Sequence, residues 1–154
     1  MKRVMFISSV GGHLTQMLQL KSLFNEYDYR LVTEKTKTTL DLKNKYRVSF
    51  LLHCSRKYPV DFVIKFAFNC IKSLFLFLQF RPDIIVTTGT HTAVPMCFFG
   101  WMARKKVIFI ESFAKRTSPT LSGRLVYPIV STFVVQWESM LKFYKTAQLW
   151  GWIY

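Results

Sequence analysis

Three short polar segments carry the residue types that chemistry on a charged substrate needs. The first is Ser8-Ser9-Val10-Gly11-Gly12-His13, the second Thr88-Gly89-Thr90-His91, and the third runs from Glu111-Ser112 to Lys115-Arg116. A glycine turn that leads straight into a helix leaves backbone N–H groups exposed, an arrangement that suits anions. The alternative is that Gly11 and Gly12 serve geometry alone. His13, beside that turn, can donate to a phosphate or accept a proton as a base, and a helix N-terminus favours its neutral form. The turn contains neither GxGxxG nor a GK[ST] ending, so binding of NAD or ATP does not follow from it.

The elements that must position these segments are strands. Val4–Ile7 precedes the first, Asp83–Thr87 the second and Val107–Ile110 the third. After the first turn Leu14, Met17, Leu18, Leu20 and Phe24 recur at helical spacing. Tyr29–Thr33 and Val48–Leu52 read as further strands, with Glu34–Arg47 a polar loop between them. Ala93-Val94-Pro95 opens an apolar helix to Met102, with proline at a position that suits its fixed φ. Ser118-Pro119 starts another helix, Pro128 stops it, and Phe133–Gln136 is a last strand, followed after Trp137 by a short amphipathic helix. Alternating strands and helices predict an α/β fold: a Rossmann-like parallel sheet with helices on both faces, as a single domain over 1–154. In an open parallel sheet the ligand crevice lies at the carboxyl ends of the strands, so the three polar turns converge there.

Val60–Phe80 is a long helix of unusual character. At 100° per residue its polar members Asp61, Lys65, Asn69, Lys72 and Gln79 fall in one sector about 80° wide. The rest is almost entirely Val, Ile, Leu and Phe. Two lysines and an aspartate argue against a membrane span. The surplus apolar arc needs a cover: lipid, a neighbouring helix or another chain. Phe62, Phe66, Phe68, Phe75 and Phe77 are the candidate membrane-facing residues.

Composition narrows the partners. Of the 154 residues 22 are basic and 8 acidic, for a net charge of +14, while 17% are aromatic, fifteen of them Phe. Such a chain is drawn to polyanions, either nucleic acid or an anionic membrane surface. The basic residues fall in short clusters, Arg56-Lys57, Arg104-Lys105-Lys106 and Lys115-Arg116, not interleaved with aromatics in a nucleic-acid-binding platform. Cys54, Cys70 and Cys97 lack CxxC spacing and read as reduced thiols, and with three histidines no metal-ligand set is legible. His53-Cys54 reads as structural. The first strand begins at once, so no secretory leader is expected.

With the turns assembled, the sequence resembles a known family. The carriers are Ser9-Val10-Gly11-Gly12-His13-Leu14-Thr15, Thr88-Gly89-Thr90 with Pro95 behind it, Ile110-Glu111-Ser112-Phe113-Ala114-Lys115-Arg116, Leu121-Ser122-Gly123-Arg124-Leu125 and Val135-Gln136-Trp137. It is similar to the membrane-associating subunit of the two-part N-acetylglucosaminyltransferase of lipid-linked oligosaccharide synthesis, and to its bacterial capsule and exopolysaccharide counterparts. The resemblance covers essentially the whole chain.

It implies the N-terminal half of a GT-B glycosyltransferase, the half that takes a polyprenyl-diphosphate-linked acceptor at the cytoplasmic face of the plasma membrane. It further implies a nucleotide-sugar-binding partner subunit in a heterodimer, no cofactor and no bound metal, in keeping with the lack of a DxD motif. Eukaryotic members carry an N-terminal membrane anchor that is not expected here, leaving Val60–Phe80 and the basic clusters as the membrane contact. Gly11, Gly12, Thr88, Gly89, Thr90, Ser112, Lys115 and Arg116 are then the expected acceptor and diphosphate site. His13 is the candidate base, with Glu111 as alternative base, as the group that orients His13, or as a partner for neighbouring backbone amides.

Trp150, Trp152 and Tyr154 form a hydrophobic handle for the partner or close the domain's own core. A self-sufficient basic nucleotide- or nucleic-acid-binding domain, and a scaffold without substrate contact, are the competing functions.

Overall fold

The computed structural model describes residues 1–153; the partner-binding expectation for Tyr154 lies outside the described residues. Seven parallel strands form one sheet in the order β3-β2-β1-β4-β5-β6-β7. They are β1 (Arg3–Ile7), β2 (Asp28–Lys35), β3 (Val48–Leu52), β4 (Ile84–Thr87), β5 (Lys106–Ile110), β6 (Thr132–Val135) and β7 (Gln148–Leu149). In β1, Val4, Met5, Phe6 and Ile7 are all buried. That unbroken burial is what a central parallel strand covered on both faces requires.

Alternation splits the core. Met5, Ile7, Ile85, Val107, Phe109, Phe133 and Val135 face α2 (Pro59–Phe80), α3 (Val94–Met102) and α4 (Leu121–Val126). Val4, Phe6, Leu31, Val86, Ile110 and Val134 face α1 (Gly12–Gln19) and the aromatic Phe24 in the 3-10 turn behind it. The expected Rossmann-like sheet with helices on both faces is therefore present, and its expected strands all form.

Several local expectations change. Glu34 belongs to β2, not to the following loop, whose only regular piece is the 3-10 turn Leu40–Asn44. The helix α4 starts at Leu121, not at Ser118-Pro119, because Thr120 caps it: its Oγ1 accepts the Gly123 N–H at 2.8 Å. After Trp137 only a 3-10 turn forms, Glu138–Met140, and the short β7 follows, so β6 is not the last strand.

The largest correction concerns α2. Its buried side is Asn69, Ser73, Leu76 and Phe77. Asn69, read as part of the wet stripe, reaches inward and pairs with the backbone of Leu52 in both directions, accepting its N–H and donating to its C=O, each at 2.8 Å. Phe77, read as membrane-facing, is 8% exposed in the core. Phe62 and Phe66 are half-buried, their rings stacked 5.7 Å apart against His91. Phe68 and Phe75 do face outward.

The outward side is apolar. Val60, Val63, Ile64, Phe68, Ile71, Leu74, Phe75 and Leu78 are exposed. At about 100° per residue they occupy an arc roughly 140° wide, nearly opposite the buried side. Asp61 and Lys65, ion-paired at 2.7 Å, sit on the boundary. Adjacent α3 adds exposed Phe98, Trp101 and Met102. Among the described residues no helix is long and apolar enough to cross a membrane.

Candidate functional site

The turns after β1 and β4 are stitched together. His13, on the first turn of α1, places Nδ1 2.8 Å from the carbonyl oxygen of Thr88, and the Thr88 hydroxyl donates to the His13 carbonyl at 2.8 Å. A carbonyl only accepts, so Nδ1 carries the proton, and the neutral ring keeps its lone pair on Nε2. The turn after β4 thus fixes the tautomer that a base needs.

The turn after β4 is strained. Gly89 has φ 102° and Thr90 φ 78°. The first suits glycine; the second forces a β-branched residue into a region it rarely adopts, at about 1–3 kcal/mol. Thr90 Oγ1 and His91 Nε2 are both buried without a hydrogen-bond partner. Strain and two unpartnered polar atoms on consecutive residues mark a segment shaped for something other than its own stability.

The turn after β5 is held by Glu111, 1% exposed. Its carboxylate accepts from the Ser112 N–H (2.9 Å), the Thr120 N–H (3.2 Å), the Thr120 hydroxyl (2.9 Å) and the Tyr144 hydroxyl (2.7 Å). Burial first, then the adjacent carboxylate, push the Tyr144 phenol far above its ordinary range, so it stays a donor. Gly123 approaches so closely that an added Cβ would lie 2.4 Å from Glu111 Oε2. The Glu111 carboxylate is thus engaged by its own loop and by Tyr144.

A cleft of about 270 Å³ opens at this edge, lined by His13, Arg56, Thr90, His91, Lys115 and Ser122, among others. Of the expected residues, His13, Thr90 and Lys115 meet there. Gly11 and Gly12 are exposed on the turn carrying His13, while Thr88, Gly89 and Ser112 are buried behind the wall. Arg116 is not among the lining groups; its guanidinium lies 4.3 Å from the Trp137 ring centroid. Neither Arg56 nor Lys115 has a carboxylate in salt-bridge reach among the described residues.

Two contributors went unread as site residues. Arg56 follows β3 and so stands at the same carboxyl edge as the three turns, a placement the sheet rule alone indicates. Glu34, 1% exposed at the end of β2, accepts hydrogen bonds from the Thr92 hydroxyl and from His53 Nδ1, and lies 3.8 Å from His91 Nε2. Burial lowers the His91 pKa, Glu34 opposes that, and Arg56 adds to it. Among the described residues no group of three or more His, Cys, Asp or Glu is placed to hold a metal ion.

At the far edge the tail divides its contacts. Ile153 packs under the sheet, its N–H donating to Gln136 Oε1 at 3.2 Å. Trp152 leans on Trp137 and Phe113 at 5.1 and 5.8 Å yet is 64% exposed, and Trp150 is 55% exposed.

A Rossmann-like sheet with its polar cleft at the carboxyl edge defines the class: one half of a GT-B-type architecture. Solved structures with this fold include MurG of Acinetobacter baumannii (TM-score 0.73, 13% identity, 90% of this chain, 43% of that one) and the UDP-N-acetylglucosamine 2-epimerase of Rickettsia bellii (0.72, 12%, 94% and 41%). The chain belongs to the family described as "Oligosaccharide biosynthesis protein Alg14 like", which matches residues 4–153.

Relatives named UDP-N-acetylglucosamine transferase subunit Alg14 include those of Schizosaccharomyces pombe, 37% identical over 46% of this chain, and Debaryomyces hansenii, 27% identical over 96%. The human relative is 24% identical over 94%. The match spans 36% of the S. pombe protein and 75% of the D. hansenii one.

Proposed function

We propose that this chain is the acceptor-side subunit of a split GT-B glycosyltransferase, acting with a nucleotide-sugar-binding partner on a polyprenyl-diphosphate-linked saccharide. The setting we infer is repeat-unit synthesis for capsular or exopolysaccharide, at the cytoplasmic face of the plasma membrane. The observation that carries the reading is the cleft, where Arg56 and Lys115, without a carboxylate partner among the described residues, line the same space as a histidine whose Nδ1 is held by a carbonyl. Cations without a carboxylate partner suit a diphosphate. The relatives' description as transferase subunits supports a catalytic partner.

In this reading the base is His13. As the acceptor hydroxyl attacks the anomeric carbon of the donor sugar, its proton passes to His13 Nε2, and the nucleoside diphosphate leaves with the electrons of the broken glycosyl bond. Glu111 acts through position, closing the loop that carries Lys115. The outward apolar face of α2 and α3, with Lys65 and Lys72 beside it, is the membrane contact, in the manner of an interfacial helix. Trp150 and Trp152 are the exposed anchors for the partner.

The test is co-expression with a candidate nucleotide-sugar-binding glycosyltransferase subunit, co-purification from membranes, and assay of sugar transfer with each chain alone as control. His13→Gln should leave the pair assembled and lower turnover by about 10²–10⁴-fold. Unchanged turnover in that variant would leave the chain a scaffold without a catalytic role.

A further inference from the structure

We propose that the groove between α2 and α4 binds the first isoprene units of the acceptor lipid, so that the hydrocarbon next to the diphosphate is held by protein and not by the bilayer. The assignment rests on the reading of the neighbouring cleft as a diphosphate site. The groove, of about 330 Å³, is walled by Phe62 and Phe66 of α2, Val94 of α3, and Leu121 and Leu125 of α4. It is continuous with the cleft, since Arg56, His91, Leu121 and Ser122 line both. Charge and hydrocarbon wall therefore meet at Arg56 and His91, which is the boundary an anionic head on an apolar tail presents.

The walls are preformed. Phe62 and Phe66 stack with an interplanar angle of 9°, and His91 meets Phe62 edge-on at 5.1 Å, making a flat aromatic side. Opposite, Leu121 and Leu125 are each 58% exposed, one helical turn apart. Exposed leucines facing half-buried rings across an open groove leave apolar surface on both sides in contact with water, a state an apolar occupant relieves. A peptide would bring backbone N–H and C=O groups that this wall cannot satisfy. At the packing density of protein interiors the space holds roughly two five-carbon units.

The experiment measures binding of soluble probes to the full chain by calorimetry, below any micelle concentration: inorganic diphosphate and geranyl diphosphate, which carries two isoprene units. Geranyl diphosphate should bind about tenfold or more tighter than inorganic diphosphate. Leu125→Gln, a neutral polar substitution at an exposed position that does not line the cleft, should abolish that difference and leave inorganic diphosphate affinity unchanged. Equal affinities of the two probes for the unmodified chain would overturn the groove assignment and leave the cleft reading standing. Failure of both probes to bind would overturn the two together.

Discussion

Thr90 and His91 show how a site conflicts with stability at single residues. Replacing Thr90 by Gly removes a side chain from φ 78°, and the gain is offset in part by the entropy glycine adds to the unfolded chain. We expect the T90G protein to be more stable by about 1 kcal/mol, a rise of roughly 2–4 °C in thermal midpoint for a chain of this size. Sugar transfer by the assembled pair should fall. His91 gives a pH dependence. Burial holds its folded-state pKa below the ordinary 6.5, so the unfolded chain binds the proton more readily. Stability is then full above that value and declines as pH falls through 6.5, levelling once folded His91 itself titrates. Denaturant unfolding at pH 7.5 and 5.5 should show this loss, and His91→Gln should reduce it. His13 was legible in the sequence because it stands in a glycine turn after a strand; Glu34 was not, because a charged residue followed by Lys35, Thr36 and Lys37 reads as solvated. Only the fold, which sets Glu34 level with Leu51 of β3 and brings His53, Thr92 and His91 onto its carboxylate, closes it off from water.

Among the elements, α2 departs furthest from its expected role. Its length was evident, but the direction of its stripe was not, since Asn69 counts as polar in any periodicity and here replaces a hydrogen-bonding neighbour beside β3. Asn69→Leu strands the N–H and C=O of Leu52, each at a cost of about 1–3 kcal/mol, so the variant should lose about 2–6 kcal/mol in chemical denaturation. The outward face makes the opposite prediction. Ile71→Glu with Phe75→Glu alters side chains that are 71% and 64% exposed, so folding should be unaffected while flotation with anionic vesicles is lost. Flotation that survives the double change would remove α2 from the membrane contact. The short elements at the chain's end escaped sequence reading for a plain reason: the two residues of β7 are too few to show alternation, and their pairing with Val134 and Val135 is decided by tertiary contact.

On the scale of the molecule, the fold class followed from the alternation of strands and helices, whereas the cleft needed a third dimension to bring Arg56 of one crossover against His13 and Lys115 of two others. The Glu111 nest ties the last third of the chain to that cleft. Gly123→Ala would press a methyl group against a carboxylate and the Tyr144 hydroxyl, and overpacking of this kind costs about 1–3 kcal/mol. We expect the G123A protein to melt earlier and to lose transfer activity with Glu111 itself unaltered, which a thermal scan beside the assay would show.

The strand order has a consequence for biosynthesis. β1 is made first and ends in the middle of the sheet, with β2 on one side from residue 28 and β4 on the other only from residue 84. At roughly 5–20 residues per second, a ribosome leaves the second edge of β1 bare for on the order of seconds. During that interval it also delivers all of α2, whose inner face has no α3 to meet. The nascent chain thus exposes an open strand edge and an apolar helix together, and the yield of folded protein in the cell should depend on chaperones that act at the ribosome.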